Sequence, residues 1–393
     1  MARRTRSVFR RGFAVGLALA ALTLGTACEK DGGDGASSAA NSAEPPGPPG
    51  PWTRRLDGVV STAPAAAEGV LYVTTSKATY ALDGPSGAQR WKFPLQKGGH
   101  TAPAIADGTV YTGDEYTLYG VDAASGQEKW RFALPDKPYP VRIGSPSVVG
   151  GVIYMYTAAT NGNNVLRAFD AATRAEKWSY DTGSRILDDD APTVVDGQAY
   201  AIGADGAHGT VTALDAASGT KKWSFYTRAW PRSQPYVAAG TVHVTSADNT
   251  IHGLYAIDAQ TGRAKTEDSS TEADWVVADD TGIYRSVYES VEAVDAAERM
   301  VKWRLDTGLL LGDPALADGA LYFVDNEKDA AEVGGFAYFL RAVDTATGKE
   351  KWRARVPYGG HAPAVSGGYV YVVGHEARII AIDAATGQSA PAK

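Results

Sequence analysis

A stretch of thirteen residues recurs along the chain at a nearly constant interval, and no other feature limits the possible fold more. The clearest copy, Leu118 to Trp130, reads as a strand, a tight turn and a second strand. One aspartate marks each copy: Asp83, Asp122, Asp170, Asp215, Asp258, Asp295, Asp344 and Asp383. Successive aspartates are 37 to 49 residues apart, about 43 on average. A period of this size indicates a repeat architecture.

The turn and the aromatic residue that follows it have a structural interpretation. Aspartate at the first turn position can accept hydrogen bonds from the amides ahead of it, and glycine four residues later can take positive φ. Arg174 and Arg299 replace this glycine in the third and sixth copies, where we expect a different turn. In six copies a tryptophan follows the aspartate by eight residues, and we expect it to dock on the next unit: Trp91, Trp130, Trp178, Trp223, Trp303 and Trp352.

Each repeat also contains a second glycine turn followed by a strand that ends in an aromatic residue, as in Asp107 to Tyr111. One unit is therefore four short strands, and such units arranged radially form a β-propeller. Trp52 precedes Asp83 by 31 residues, the same spacing as Trp91 to Asp122, whereas no tryptophan strand follows Asp383. The sequence predicts an all-β, eight-bladed propeller over residues 51–393, closed by the N-terminal strand around Trp52, which leaves no free sheet edge at the seam.

The N-terminal residues have the composition of an export and anchoring segment. Residues 1–28 combine five arginines, a short apolar run and Gly25-Thr-Ala-Cys28, which is typical of a secretory signal with a lipobox-like end. Arg10-Arg11 leaves the export route open between Sec and twin-arginine. Cys28 is the only cysteine, so we expect lipidation there, with plain secretion and an incidental thiol as the alternative. The composition of residues 29–50 predicts a flexible Gly/Ser/Pro tether. Together with the signal and Cys28, this tether predicts an extracytoplasmic protein anchored to the cell membrane by a lipid.

The charge and cysteine content exclude some function classes and leave others open. The formal net charge is -7 and no basic stripe is visible, which argues against nucleic-acid binding. With no cysteine after Cys28 there is no disulfide to hold the propeller, so closure of the ring must do so. We expect a monomer.

The connections after the second and fourth strands of each repeat vary in length, whereas the other two are short turns. Because binding residues concentrate on loops held by a rigid scaffold, we expect the functional surface on the face that carries the variable connections. Arginine and aromatic residues are common interface anchors. Trp230 and Trp275 are therefore candidate anchors, with packing between blades as the alternative. The candidate residues on this binding face are His100, Arg142, Trp230, Arg232, Trp275 and His361.

The repeated pattern Ala-(Leu/Val/Ile)-Asp-Ala-x-Thr/Ser-Gly-x-x-x-Trp resembles the quinoprotein, or PQQ-like, β-propeller repeat, over residues 51–393. Families that share this repeat include the PQQ-dependent dehydrogenases and the BamB-like propeller lipoproteins of the outer-membrane β-barrel assembly machinery. Related propellers also occur as extracytoplasmic sensors. The resemblance therefore implies a fold and leaves the function open between an enzyme and a binding protein.

The alternative of a PQQ-dependent dehydrogenase has little support in the residues. Many alcohol dehydrogenases of that family use an adjacent cysteine pair, and here the repeats contain no cysteine and are close to minimal length. Asp188-Asp189-Asp190 could bind a cation, but a run of acids in a loop is more often solvated surface. The histidines lack metal-ligand spacing, and His100 and His361 each follow a Gly-Gly pair. We therefore predict no catalytic residues, metal or PQQ, and a scaffold that binds a protein or a small ligand; a ligand sensor for a membrane partner is the further alternative.

Overall fold

The computed structural model describes residues 43–390 except 46, 48, 135–140, 160–162, 184–190, 206–207, 233, 248–251, 269–272, 280, 296–299, 330, 332–334 and 358–359. The predicted signal, Cys28, most of the tether and Asp188–Asp190 lie outside the described residues. Within the described part, no helix has the length and hydropathy needed to cross a membrane.

The strands form eight antiparallel sheets, and each sheet is one blade of the propeller. The blades are numbered in chain order, and the strands of each blade are given from the innermost to the outermost. Blade 1 contains β2 (Ala65–Ala67), β3 (Val70–Thr74), β4 (Ala78–Asp83) and β5 (Gln89–Pro94). Blade 2 contains β6 (Ala104–Ala106), β7 (Thr109–Gly113), β8 (Thr117–Asp122) and β9 (Glu128–Ala133). Blade 3 contains β10 (Val141–Ile143), β11 (Ser147–Val149), β12 (Val152–Ala159), β13 (Asn164–Asp170) and β14 (Glu176–Asp181). Blade 4 contains β15 (Thr193–Val195), β16 (Gln198–Asp205), β17 (His208–Asp215) and β18 (Lys221–Thr227).

The second half of the chain continues the same order. Blade 5 contains β19 (Tyr236–Ala238), β20 (Thr241–Ala247), β21 (His252–Asp258) and β22 (Ala264–Asp268). Blade 6 contains β23 (Val276–Ala278), β24 (Ile283–Ser286), β25 (Ser290–Val294) and β26 (Val301–Asp306). Blade 7 contains β27 (Leu310–Ala317), β28 (Ala320–Lys328), β29 (Phe336–Asp344) and β30 (Glu350–Val356). Blade 8 contains β31 (Ala364–Ser366), β32 (Tyr369–Gly374), a 3-10 turn (His375–Ala377), β33 (Arg378–Asp383) and, as its outer strand, β1 (Trp52–Arg55).

The innermost strands surround a central channel. Consecutive innermost strands contact each other around the whole ring, including β31 of blade 8 with β2 of blade 1. Second strands such as Val70–Thr74 are buried along their length, because both faces of each blade pack against neighbouring blades. Outer strands such as Glu350–Val356 alternate between buried and exposed residues, the period of two expected for a strand with one solvated face.

The Asp turns between third and fourth strands have the predicted hydrogen bonds. At Asp122 the carboxylate accepts from the Ser125 amide at 2.9 Å and from the Ser125 hydroxyl at 2.8 Å. The Gly126 amide donates to the Asp122 carbonyl at 2.8 Å, with a φ of 71° at Gly126. The prediction of a different turn was wrong for Arg174, and Arg299, the second residue it concerned, lies outside the described residues. Arg174 takes a φ of 61° and its amide donates to the Asp170 carbonyl at 2.7 Å, so the side chain changed and the turn did not.

The tryptophans join neighbouring blades through these same turns. The Trp91 indole N–H donates to the Ala123 carbonyl of blade 2 at 2.9 Å, and a Cβ on Gly126 would lie 2.6 Å from the Trp91 ring. Glycine is therefore required sterically as well as for its φ. The same donation, at 2.6 to 3.0 Å, joins five further pairs: Trp52–Gly84, Trp178–Ala216, Trp223–Ala259, Trp303–Thr345 and Trp352–Ala384. At the seam between blades 2 and 3, the Arg174 guanidinium lies over the Trp130 ring, 5.6 Å from its centroid.

The predicted closure by Trp52 is confirmed. Strand β1 pairs antiparallel with β33, with Trp52 opposite Ala381, and thereby completes blade 8. The Trp52 indole donates to the Gly84 carbonyl of blade 1 at 2.6 Å. The N-terminal strand thus closes the ring in two ways, by pairing within blade 8 and by docking on blade 1.

The last tether residues contact the propeller just before this strand. The Glu44 carboxylate accepts two hydrogen bonds from the Arg54 guanidinium, at 2.6 and 2.8 Å, and one from the Gln89 amide at 3.1 Å. The hydrogen bond from Arg54 lowers the pKa of Glu44 to about 2. The segment predicted as a tether therefore includes residues that bind across the seam between blades 8 and 1.

Blade 5 departs from the aromatic pattern of the other seven. In those blades a tyrosine of the second strand packs on the tryptophan of the outer strand, with ring centroids 5.7 to 6.1 Å apart. In blade 5 the two positions hold His243 and Thr266. His243 is only 4% exposed, and burial, with a smaller contribution from Lys265, lowers its pKa to about 4.

We predict that Trp52→Ala lowers the free energy of unfolding by about 3 to 5 kcal/mol, because it removes a buried aromatic side chain from the closing strand. Chemical denaturation of the full chain measures this. Trp230→Ala is the matched control, since Trp230 is 49% exposed, and we expect it to change stability by no more than about 0.5 kcal/mol. Equal effects of the two variants would show that Trp52 does not close the ring.

We predict that His243 makes the protein acid-labile. Its pKa is about 4 in the folded state and 6.5 when unperturbed, so the unfolded state binds the extra proton first as the pH falls. About 3 kcal/mol of stability, present above pH 6.5, is lost as the pH falls toward 4. Tyrosine, present at this position in the other blades, cannot take up a proton, so His243→Tyr should flatten the stability profile over this window. A pH–stability profile of His243→Tyr that runs parallel to the wild-type profile contradicts the assignment.

Candidate functional site

The two ends of the propeller differ in the connections they carry. One end holds the turns after the first and third strands, which are short. The other end, called the variable face below, holds the connections after the second and outer strands. The longest described hairpin there is formed by β28 and β29, which stay paired as far as Lys328 opposite Phe336.

His100 and Arg142 lie together on the variable face between blades 2 and 3. The His100 Nε2 atom is 3.0 Å from the carbonyl oxygen of Ile143. Arg142 lies on β10, a fifth strand of blade 3 that the repeat pattern does not predict, and pairs with Glu115 at 3.5 Å. These two residues therefore join neighbouring blades in addition to bordering the face.

Trp230 and Arg232 lie on the connection from blade 4 to blade 5. Trp230 is 49% exposed, and its carbonyl accepts from the Ala247 amide at 3.0 Å. The Arg232 amide donates to the Thr245 carbonyl at 3.0 Å, and its side chain is exposed. The connection is thus held by backbone hydrogen bonds on blade 5 while it presents an aromatic and a cationic side chain to solvent.

Trp275 and His361 are placed differently. Trp275 is 3% exposed and packs with Tyr284, Val291 and Phe323 between blades 6 and 7, so it is not a surface anchor. His361 is half-buried at the start of blade 8. The six candidate residues consequently occupy four separate places around the ring rather than a single site.

The variable face also carries exposed apolar residues that the sequence reasoning missed. Six of the nine large hydrophobic residues exposed in the described part of the chain lie in or beside its connections: Val59, Tyr226, Trp230, Tyr288, Leu309 and Phe336. Tyr288 is 64% exposed in the turn between β24 and β25. No sequence signal distinguished them, because a single apolar residue in a loop is ordinary until its neighbours in space are known.

A partly buried ionic network supports the apolar tip of blade 7. The Arg341 guanidinium binds Asp325 at 2.9 Å, Glu327 at 2.8 Å and Glu350 at 2.9 Å. Asp325 is fully buried and also accepts from the Gly308 amide at 3.1 Å. The network joins three strands of the blade, and it therefore orients the hairpin that ends at Phe336.

A cavity of about 280 Å³ lies in the channel at its end toward the variable face. It is lined by four consecutive blades: Ala191, Gln234, Tyr236, Trp275, Val276, Val277, Asp313 and Pro314. Asp313 is exposed to solvent, yet desolvation by the surrounding protein, followed by the charge of Asp274, raises the pKa of its carboxyl. The sequence reasoning missed Gln234 and Asp313. Each stands directly before the proline of its repeat, a position that holds alanine or serine in most other repeats, and this difference could have identified them.

This lining does not fit pyrroloquinoline quinone. That cofactor carries three carboxylates, whereas the described residues that line the cavity include an aspartate and no arginine or lysine. Placing like charges together in a partly buried site is unfavourable. Among the described residues, no group of three or more His, Cys, Asp or Glu side chains is arranged to hold a metal ion.

Taken together, the closed ring, the Asp turns and the docked tryptophans define an eight-bladed propeller of PQQ-like repeats. The chain matches the family described as outer membrane protein assembly factor BamB over residues 29–162, 144–337 and 338–390, and it belongs to that family. A search of curated proteins found no match.

Solved structures with this fold include a BamB protein, an alcohol dehydrogenase and the yeast protein Sqt1. BamB from Moraxella catarrhalis is 17% identical, with 84% of this chain and 87% of that chain covered and a TM-score of 0.54. Quinohemoprotein alcohol dehydrogenase from Comamonas testosteroni is 14% identical, with 87% and 77% covered and a TM-score of 0.60. Sqt1 from Saccharomyces cerevisiae is 10% identical, with 85% and 97% covered and a TM-score of 0.61. Identities this low show a common fold and leave activity undecided.

Proposed function

We propose that this protein is a non-enzymatic scaffold that binds another protein through its variable face. The observation that carries the proposal is the set of exposed apolar residues on that face, most of them between blades 4 and 7. Exposed aromatic residues on a rigid support are typical interface anchors, because they bury a large area with little loss of side-chain freedom. Membership of the BamB family, whose name denotes a protein assembly factor, supports the same function.

The support beneath these residues favours binding without rearrangement. Tyr226 is 57% exposed at the end of β18, and Trp230 follows on a connection held to blade 5 by backbone hydrogen bonds. Phe336 stands at the end of the hairpin that the Arg341 network orients. Preorganised anchors of this kind lose little entropy on association.

We further propose that the protein is extracytoplasmic and held at the membrane by a lipid on Cys28. The support is the signal-like composition of residues 1–28, with the only cysteine of the chain at its end, and the tether composition that follows. An outer-membrane assembly factor gives the family its name, which agrees with an extracytoplasmic location.

The alternative of a PQQ-dependent dehydrogenase is weakened by the chemistry of the channel. The fold shared with a quinohemoprotein enzyme is the reason to consider this alternative. The described lining of the cavity, however, carries a negative charge, which is unfavourable for a cofactor with three carboxylates. A ligand sensor for a membrane partner is the second candidate function, and the same cavity is the observation that favours it.

We predict that Tyr226→Ser with Trp230→Ser reduces capture of the partner protein at least tenfold, because two interface anchors are lost. Full-length protein is crosslinked in native membranes, purified, and the captured protein quantified by mass spectrometry. Val149→Ser with Val301→Ser is the matched control, since these residues are 43% and 48% exposed away from the variable face. Loss of capture in the control pair alone would show that the interface lies on the opposite face of the propeller, and it would contradict the proposal.

We predict that Cys28→Ser moves the protein from the membrane fraction to the soluble extracytoplasmic fraction, because the lipid attachment site is removed. Fractionation and immunoblotting measure the distribution, and intact-mass analysis of the wild type measures the added lipid. Trp52 and the propeller are untouched in this variant, so its melting curve should be unchanged. A variant that stays with the membrane, or a wild type without lipid, contradicts the anchor.

A further inference from the structure

Blade 5 is the one blade whose outer strand brings no tryptophan to the seam with the next blade. Thr266 occupies the position at which the outer strand of each of the other seven blades has tryptophan. The repeat of blade 6 differs as well, since Arg299 stands in the sequence where six repeats have the turn glycine. The contact that joins the other blades is therefore missing between blades 5 and 6.

The hydrophobic clusters avoid the same seam. Six clusters of buried residues lie in the described part of the chain, and between them they span the other seven seams of the ring. The cluster of blades 3 to 5 includes Tyr255 and Ile257 as its members from blade 5. The cluster of blades 6 and 7 includes Trp275 and Tyr284 from blade 6. Among the described residues, no such cluster contains side chains of both blade 5 and blade 6.

The side of blade 5 that faces blade 6 is polar. Successive side chains of a strand point to opposite faces of the sheet. Because Val244 packs in the cluster shared with blade 4, its neighbours His243 and Thr245 face blade 6. The Thr245 hydroxyl donates to the carbonyl of Asp274, just before the innermost strand of blade 6, at 3.3 Å.

Blade 6 presents an ionic group to this seam. Tyr284 packs on Trp303, which docks on blade 7, so the next residue of the strand, Arg285, faces blade 5. Glu292 lies opposite Arg285 and is 5% exposed. Its carboxylate accepts from Arg285 at 3.0 Å and from Arg304 at 3.1 Å. Contact between polar surfaces gains less free energy than burial of apolar surface, because hydrogen bonds to water are exchanged for others.

We propose that the ring opens first at the seam between blades 5 and 6, as a minor state in equilibrium with the closed ring of the structure. The stability of a repeat protein is approximately a sum over contacts between neighbours. Proteins open locally where few buried apolar contacts hold them. This seam lacks both the docking tryptophan and a shared hydrophobic cluster, and it therefore has the lowest free energy of opening in the ring.

The opening divides the proposed interface into two groups of anchors. The Trp230 carbonyl is bound to the Ala247 amide of blade 5, whereas Tyr288 belongs to blade 6 and Leu309 to its connection with blade 7. Each group keeps its place on its own blade, but the distance between the groups is fixed only while the seam is closed. A partner that contacts both groups binds the closed ring and shifts the equilibrium toward it. This consequence rests on the proposed function, and the opening itself does not.

The test is the rate at which a buried thiol reacts with N-ethylmaleimide without denaturant, in the full chain carrying Cys28→Ser so that one thiol is present. Thr245→Cys reports on the seam between blades 5 and 6. Thr74→Cys is the matched control, since it is the fifth residue of the second strand of blade 1, as Thr245 is in blade 5. Thr74 contacts Thr112 of blade 2 at 3.2 Å, and the two positions are 1% and 0% exposed. A buried thiol reacts through local opening, so we expect Thr245→Cys to react at least tenfold faster than Thr74→Cys.

Two further variants exchange the character of the two seams. Thr266→Trp with Arg299→Gly supplies the tryptophan and glycine of the other repeats, and it should slow the reaction of Thr245→Cys at least tenfold. Trp91→Thr removes the docking tryptophan between blades 1 and 2, and it should accelerate the reaction of Thr74→Cys by a similar factor. Melting curves establish that each variant is folded.

The proposal is overturned if Thr245→Cys and Thr74→Cys react at equal rates. It is also overturned if neither adding nor removing the tryptophan changes the rate at its own seam. The reaction is measured with no partner present, so a failure of the proposed protein interface would leave its outcome unchanged.

Discussion

The contact between each outer-strand tryptophan and the Asp turn of the next blade determines the rest of the structure. The indole N–H fixes the distance between blades through one carbonyl, and the ring covers the glycine of the turn so closely that a side chain would collide with it. Because the contact is local and repeated, each blade needs only its neighbour, and the ring accumulates stability from similar seams. The chain has no disulfide among its repeats, so these seams and the closing strand hold the ring.

Much of the fold could be predicted because it depends on spacing. The interval from Trp52 to Asp83 was enough to assign the N-terminal strand to the last blade, since closure of a propeller leaves one outer strand to be supplied. The error at Arg174 has a physical reason: the turn needs positive φ, which arginine can adopt at some cost, and its side chain then stacks on Trp130. The fifth strand at Arg142 lies outside the repeat, and therefore no periodic signal indicated it.

The candidate site was less predictable, because it depends on which residues meet across blades. The face was chosen from loop length, and the exposed apolar residues favour that choice. Trp275 looks in sequence like an interface anchor and is in fact buried, whereas Phe336 and Tyr288 gave no signal. Burial is set by the neighbouring blade, and a sequence read one repeat at a time does not contain that neighbour.

Apart from Arg174 and the fifth strand, both in blade 3, the departures from the repeat are concentrated in one half of the ring. Blades 4 to 7 contain the channel cavity, the exposed anchors from Tyr226 to Phe336, and the seam where Thr266 replaces the docking tryptophan. Blades 8, 1 and 2 keep the small channel residues and contain the closure by Trp52. A repeat protein can vary a site only where enough regular seams remain to hold the ring, because stability is approximately a sum over neighbours. The regular blades therefore supply the rigidity of the ring, and the modified blades depend on that rigidity for preorganised binding.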